Sequence, residues 1–139
     1  MRRVVIDTNV MVSGMIQSSG HPHRIVKLWE EEQIILITSP EIIDEVRRVL
    51  NYPRIRKRYS LGPETIDRCV MNLYRYSLCV QDAPALHGLS RDPDDDKFLA
   101  AAVAGKADYL ISGDAHLLDL HSYKGVEIIT PKAFQDIIK

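Results

Sequence analysis

The sequence predicts an α/β fold: a three-layer α/β/α sandwich around a parallel sheet. Short apolar runs of strand length alternate with stretches of helical period along the whole chain. Those runs are apolar at successive positions, the pattern of strands covered on both faces. No repeat, low-complexity tract or Gly/Ser linker interrupts them, so residues 1–139 are read as one domain.

The elements follow in order. Val4-Val5-Ile6 is the first strand and stops at Asp7, where Thr8 and Asn9 stand at a strand-to-helix turn as capping residues. A helix over His23–Glu32 carries Ile25, Val26, Leu28 and Trp29. Ile34-Ile35-Leu36-Ile37 is the second strand. Ser39 is then the N-cap and Pro40 the first residue of a helix reaching Leu50. Gly62-Pro63-Glu64 opens another, to Tyr76, and Leu78-Cys79-Val80 is a weak third strand. Asp92-Pro93 opens a helix ending near Gly105. Tyr109-Leu110-Ile111 and Val126-Glu127-Ile128-Ile129 complete the strands, and Pro131 opens a short final helix.

Composition narrows the function. With 45% hydrophobic residues the chain folds rather than staying disordered, and at 139 residues it needs no disulfide or structural metal to do so. Eighteen Lys and Arg against 19 Asp and Glu leave a net charge of −1, so any electrostatic role rests on how charges are distributed. Cys69 and Cys79 make neither a disulfide framework nor a zinc ribbon and read as reduced thiols. No segment has the ~18 consecutive apolar residues of a membrane span, and Asp7 cuts the N-terminal apolar run short of a signal peptide. A soluble, cytoplasmic protein without membrane association or cleaved leader is expected.

In an open parallel sheet, ligands bind beyond the carboxyl ends of the strands. Asp7 follows the first strand there, and Asp114 follows Leu110-Ile111 after a Ser-Gly turn. Either alone reads as a solvated loop acid; two at one sheet edge share the crevice. Asp92, Asp94, Asp95 and Asp96 open the helix at Pro93, where the helix dipole favours acids. On a wheel of ~100° per residue, with Phe98, Leu99, Ala102 and Val103 buried, Asp95 falls within roughly 10° of the stripe's centre. On that wheel Asp92 lies about 50° away, Asp96 about 90° and Asp94 about 110°. A carboxylate aimed along an apolar face needs a positive partner, and no Lys or Arg is placed by local spacing to supply one. Glu45 sits on the border of the stripe Ile42, Ile43, Val46, Val49 and Leu50, a place that also suits a solvated flank residue, whereas Asp44 points away.

Asp7, Glu45, Asp95 and Asp114, with Asp92 close by, form a hard oxygen set suited to Mg²⁺ or Mn²⁺ rather than Zn²⁺. The chemistry that uses such a set is attack of metal-activated water on a phosphodiester.

At these residues the chain resembles the PIN domain, the nuclease fold of many toxins in bacterial and archaeal toxin–antitoxin pairs. Val4-Val5-Ile6-Asp7-Thr8-Asn9-Val10 is similar to the family's opening motif, and Ser39-Pro40-Glu41-Ile42-Ile43-Asp44-Glu45 to the segment bearing its glutamate. Asp92-Pro93-Asp94-Asp95 through Ala107-Asp108-Tyr109-Leu110-Ile111-Ser112-Gly113-Asp114 resembles its C-terminal acid block, and Thr130-Pro131 with Phe134 its ending. The resemblance implies a five-stranded parallel sheet ordered 3-2-1-4-5, with the ends of the first and fourth strands side by side. It also implies Mg²⁺- or Mn²⁺-dependent ribonuclease activity, an RNA substrate, a cognate antitoxin, and dimerisation as in many members. Carried over by motif, the catalytic acids are Asp7, Glu45, Asp95 and Asp114, Asp92 is an outer metal ligand, and Ser112 is a small hydroxyl orienting the first-strand Asp. A shift of one residue exchanges Asp95 for Asp96.

Arg47, Arg48, Arg54, Arg56, Lys57 and Arg58 form a basic run with no acid from Val46 to Pro63, interleaved with Tyr52 and Tyr59. The run reads either as a solvated flank or as a strip tracking a phosphate backbone, with tyrosines for base stacking; Arg47, Arg48, Arg54 and Arg56 are its substrate-binding candidates. His21 and His23 read as loop residues, and His116 as a surface His beside Asp114. Ile66, Val70, Leu73 and Tyr74 make a stripe that is either core or an association face.

Other classes fit less well. A haloacid-dehalogenase-type phosphotransferase needs a second Asp where Asn9 stands, a response-regulator receiver needs a phospho-accepting Asp after its third strand, and no strand is followed by a Gly-rich phosphate loop. The non-enzyme alternative is a catalytically silent PIN-like RNA- or protein-binding adaptor, against which the presence of all the acids argues.

Overall fold

The structure, a computed structural model, describes residues 1–81 and 93–138. In chain order the elements are β1 (Arg3–Ile6), α1 (Thr8–Ile16), α2 (His21–Glu30), β2 (Ile35–Thr38), α3 (Pro40–Leu50), α4 (Pro53–Arg58), α5 (Pro63–Tyr76) and β3 (Leu78–Cys79). A 3₁₀ turn (Pro93–Asp95) then leads into α6 (Asp96–Ala104), β4 (Tyr109–Ile111), α7 (Ala115–Leu118), β5 (Ser122–Tyr123), β6 (Val126–Ile129) and α8 (Pro131–Ile138).

The sheet runs β3-β2-β1-β4-β6-β5. Its first five strands are parallel, and β5 pairs antiparallel with β6. The expected order of five parallel strands is therefore present, with β6 in the fifth place. The expectation of five strands is corrected to six by the two-residue edge strand β5. Lys124 and Gly125, both at positive φ (47° and 84°), close a tight hairpin into β6, the twist that two-residue loops require.

Both faces of the parallel strands are apolar because both are covered. Val4, Ile6 and Leu36 pack with α1, α2, α3 and α5, while Val5, Ile37, Leu110 and Ile128 pack against α6. Side chains alternate across a strand, so adjacent residues feed opposite cores. Ser39 caps α3, its Oγ accepting from the Ile42 amide at 3.3 Å. At the far end of α6, the Arg3 guanidinium donates to the Gly105 carbonyl at 2.9 and 2.7 Å. That places a cation at a helix C-terminus, where the dipole favours it.

Two glycines mark close approaches. A Cβ on Gly14 would stand 2.5 Å from the Pro22 carbonyl oxygen and from a Val26 methyl, so α1 and α2 meet there in near backbone contact. On Gly105 a Cβ would lie 2.7 Å from an Ile37 methyl, where α6 turns down onto the sheet. Trp29, at the end of α2, is 7% exposed, and its indole N–H donates to the Tyr76 carbonyl at 2.9 Å. Ile66, Val70 and Leu73 of α5 are core, whereas Tyr74 is exposed beside Met71. Both cysteines are half-buried free thiols. Among the described residues no helix is long and apolar enough to cross a membrane.

Register positions the functional edge. Ile6 pairs with Ile111, the Asp7 amide donates to the Ile111 carbonyl at 3.0 Å, and the Ser112 amide donates to Ile129 at 2.9 Å. The chain leaving β1 is thereby set beside the chain leaving β4.

Candidate metal centre

Asp7 is buried at the point where β1 becomes α1. It is the N-cap of α1: Oδ1 accepts from the Val10 amide at 2.8 Å. Oδ2 accepts from the Ser112 hydroxyl at 2.5 Å and from the Gly113 amide at 3.3 Å. Burial raises the Asp7 pKa above its ordinary 3.8, the donors from Ser112, Val10 and Gly113 oppose that rise, and the neighbouring Asp114 carboxylate adds to it.

Ser112 joins the two strand ends. Fully buried, it donates to Asp7 and accepts from the Asp114 amide at 2.9 Å. Its hydroxyl thus contacts the first-strand Asp that the resemblance implies it orients. Asp114 is half-buried and caps the single turn of α7, its Oδ1 accepting from the His116 amide at 2.7 Å.

Asp95 is buried at the junction of the 3₁₀ turn and α6. Its carboxylate, that of Asp114 and the His116 imidazole each offer a ligand atom, and these atoms lie within 4.8 Å of one another. His116, read from sequence as a surface residue, is half-exposed but belongs to this group. Its Nδ1 stands 4.0 Å from Asp114 Oδ1. Asp7 and Asp114 also line a common cavity of about 410 Å³ with Asn9, Ser13 and Gly113.

The wheel separated Asp95 from Asp96 less well than expected. Both are buried, and Asp94 is exposed. Residues 93–95 turn as 3₁₀ helix, so ~100° steps do not run through them. Nearly every side of α6 is also covered, with Phe98, Leu99, Ala100, Ala101 and Ala102 all buried. It is Asp95 that the ligand group includes. Asp92 lies outside the described residues.

Glu45, on the border of the α3 stripe, faces the site's flank rather than solvent. Oε1 accepts from the Thr8 hydroxyl, and Oε2 pairs with Lys97 at 2.7 Å and more distantly with Arg48 at 3.6 Å. The Glu45 and Lys97 side chains are only 18% and 13% exposed. Local spacing offered no Lys or Arg to Asp95; Lys97, one residue past Asp96, pairs with Glu45 and bridges α6 to α3. Sequence spacing gave no sign of it, because the pair spans two helices remote in sequence.

Arg47 and Arg48 are exposed on the last turn of α3, and Arg54, Lys57 and Arg58 are exposed on α4. Arg56 is half-buried and donates to the Leu61 carbonyl at 3.4 Å. Arg58 lies over the Tyr59 ring at 5.4 Å. The strip thus starts beside Glu45 at Arg48 and runs away along α4. His21 contacts Gln135 rather than joining a ligand group.

Two carboxylates and an imidazole, with the Asp7 carboxylate lining the same cavity as Asp114, are a donor set that suits a hard or borderline divalent ion.

Comparison with known proteins agrees with this fold. The chain is 32% identical over 140 residues to an uncharacterized protein, MJ1680, of Methanocaldococcus jannaschii, covering 95% of this chain and 88% of that protein. Its fold is similar to the crystal structure of FitAcB from Neisseria gonorrhoeae, with a TM-score of 0.56 at 15% identity over 93% of this chain and 98% of that one. Residues 3–116, from the start of β1 to His116, match the family model of the PIN domain, and the chain belongs to the PIN-domain family.

Proposed function

We propose that this protein is a divalent-metal-dependent endoribonuclease, the toxin of a toxin–antitoxin pair. PIN domains are generally nucleases and bind divalent metals. The observation that carries the reading for this chain is the grouping of Asp95, Asp114 and His116 within 4.8 Å, with Ser112 tying the Asp114 backbone to the Asp7 carboxylate.

Asp95 and Asp114 would hold the ion, with Asp7 as the buried carboxylate behind them. When bound, the ion activates water and stabilises charge on the entering and leaving phosphodiester oxygens. The chain's own residues hold the geometry. Val10, Ser112 and Gly113 fix both oxygens of Asp7, and the cap on α7 fixes Asp114. Thr8 and Lys97 hold Glu45, the fourth acid of the set, between α1, α3 and α6. Arg47, Arg48, Arg54 and Arg56 lead the RNA backbone toward the acids. Water is the nucleophile, and the products carry a 5′-phosphate and a 3′-hydroxyl. The partner is an antitoxin protein, a second copy of the chain is a further partner, and the cytoplasm is the compartment consistent with two free thiols.

The test is cleavage of RNA and DNA oligonucleotides over a titration of Mg²⁺ and Mn²⁺, with Asp95→Asn and Asp114→Asn alongside. RNA cleavage that requires the ion and falls at least a hundredfold in both variants supports the reading. Wild-type rates in either variant overturn the site assignment. RNA binding without cleavage at any ion concentration favours the adaptor reading.

A further inference from the structure

We infer that His116 is a nitrogen ligand of the metal centre and biases the site toward Mn²⁺ over Mg²⁺. The inference rests on the reading of Asp95 and Asp114 as metal ligands and adds to it the identity of the ion. Ligands on an octahedral ion at ~2.1 Å stand between ~3.0 and ~4.2 Å apart. Ligand atoms of Asp95, Asp114 and His116 all fall within 4.8 Å of one another, so small side-chain rotations bring the three onto one ion.

The local backbone fixes this arrangement. Asp114 Oδ1 accepts from the His116 amide at 2.7 Å, which turns residue 116 back toward its own capping carboxylate. The ring then stands beside that carboxylate without bonding to it, since Nδ1 is 4.0 Å from Oδ1, beyond hydrogen-bond length. Asp95 comes from a different element, the start of α6. The three donors therefore come together from two elements, α6 and α7.

Donor type then decides the ion. Mg²⁺ is hard and takes oxygen ligands and water almost exclusively, whereas imidazole suits borderline transition ions. An all-carboxylate site would separate Mg²⁺ from Mn²⁺ weakly. Replacing one oxygen by imidazole strengthens Mn²⁺ binding and does little for Mg²⁺. His116 is half-exposed, so its substitution leaves the core intact.

The experiment is direct ion binding to the full chain without RNA. Free Mn²⁺ is followed by electron paramagnetic resonance, Mg²⁺ is measured by competition, and ¹⁴N spin-echo modulation is recorded in imidazole-free buffer. Wild type, His116→Ala, Asp95→Asn and Asp114→Asn are compared. The expected result is Mn²⁺ bound at least tenfold tighter than Mg²⁺, with ¹⁴N modulation present. His116→Ala should weaken Mn²⁺ about tenfold, change Mg²⁺ less than threefold and abolish the modulation. Unchanged Mn²⁺ affinity in His116→Ala, with binding still lost in Asp95→Asn and Asp114→Asn, overturns the role of His116 and leaves the carboxylate site standing. Absence of binding by either ion to wild type overturns both.

Discussion

Substituting Ser112 by Ala removes a single oxygen from the junction of β1 and β4, and its cost can be worked from the hydrogen bonds. The hydroxyl is fully buried, donates to the Asp7 carboxylate and accepts from the Asp114 amide. A hydrogen bond to a charged group contributes about 1.5–3 kcal/mol, and a half-buried amide left to water costs about 0.5–1 kcal/mol. Only the volume of one oxygen is vacated, so the cavity term is small beside the hydrogen bonds. A loss of about 2–4 kcal/mol follows at neutral pH in chelator, or roughly 6–15 °C in Tm for a chain of this size. The pH dependence is diagnostic. Asp7's folded pKa is raised above its unfolded value, so falling pH through that raised value protonates the native state first and stabilises it. Ser112→Ala removes a donor that holds the pKa down, so in the variant this gain begins at higher pH and is larger. The deficit between variant and wild type must therefore shrink on acidification, to about 1 kcal/mol once Asp7 is neutral in both. Urea denaturation of both proteins at neutral pH and below the Asp7 titration, in EDTA, measures it. A deficit under ~1 kcal/mol at neutral pH, or one equal at both pH values, refutes the reasoning.

Other expectations follow from the same structure. Asp7→Asn should keep metal-free stability at neutral pH within about 1 kcal/mol of wild type, because removing a buried charge offsets the Ser112 and Gly113 donors left without their oxygen, and RNA cleavage should fall at least a hundredfold. Calorimetry showing a loss above ~1 kcal/mol contradicts this. A double-mutant cycle of Lys97→Met and Glu45→Gln should give a coupling of about 1–3 kcal/mol, since both side chains are largely buried at 2.7 Å; zero coupling would mean the pair is screened by solvent. Gly14→Ala should cost about 1–3 kcal/mol despite Ala's better helix propensity, because the new methyl meets the Pro22 carbonyl; a stabilised variant in denaturant titration would disprove the close approach.

Much of the fold is written in local pattern. Strands such as Val4-Val5-Ile6 and Ile128-Ile129 are apolar at consecutive positions because each neighbour enters a different core, and Ser39-Pro40 marks a helix start through its own cap. β5 was not legible: Ser122–Tyr123 has no periodicity to read, and only its pairing with Val126 and Glu127 makes it a strand. At the site, the strand-end acids Asp7 and Asp114 follow from sheet geometry, which sets Ile6 beside Ile111. The rest depends on contacts between distant segments. Lys97 reaching Glu45, Thr8 reaching the same carboxylate, and Asp95 meeting Asp114 and His116 leave no spacing signal. The wheel that favoured Asp95 assumed one continuous α-helix, and the 3₁₀ turn before α6 removes that assumption.

Trp29 is the chain's single tryptophan, held near the entry of β2 and tied to the end of α5, at the opposite pole of the sheet from the acids. Its emission is thus an optical gauge of the helical layer. In a titration with manganese or magnesium a steady fluorescence spectrum shows that the scaffold is intact and a red shift reports melting, so a loss of binding read by another probe can be told from collapse.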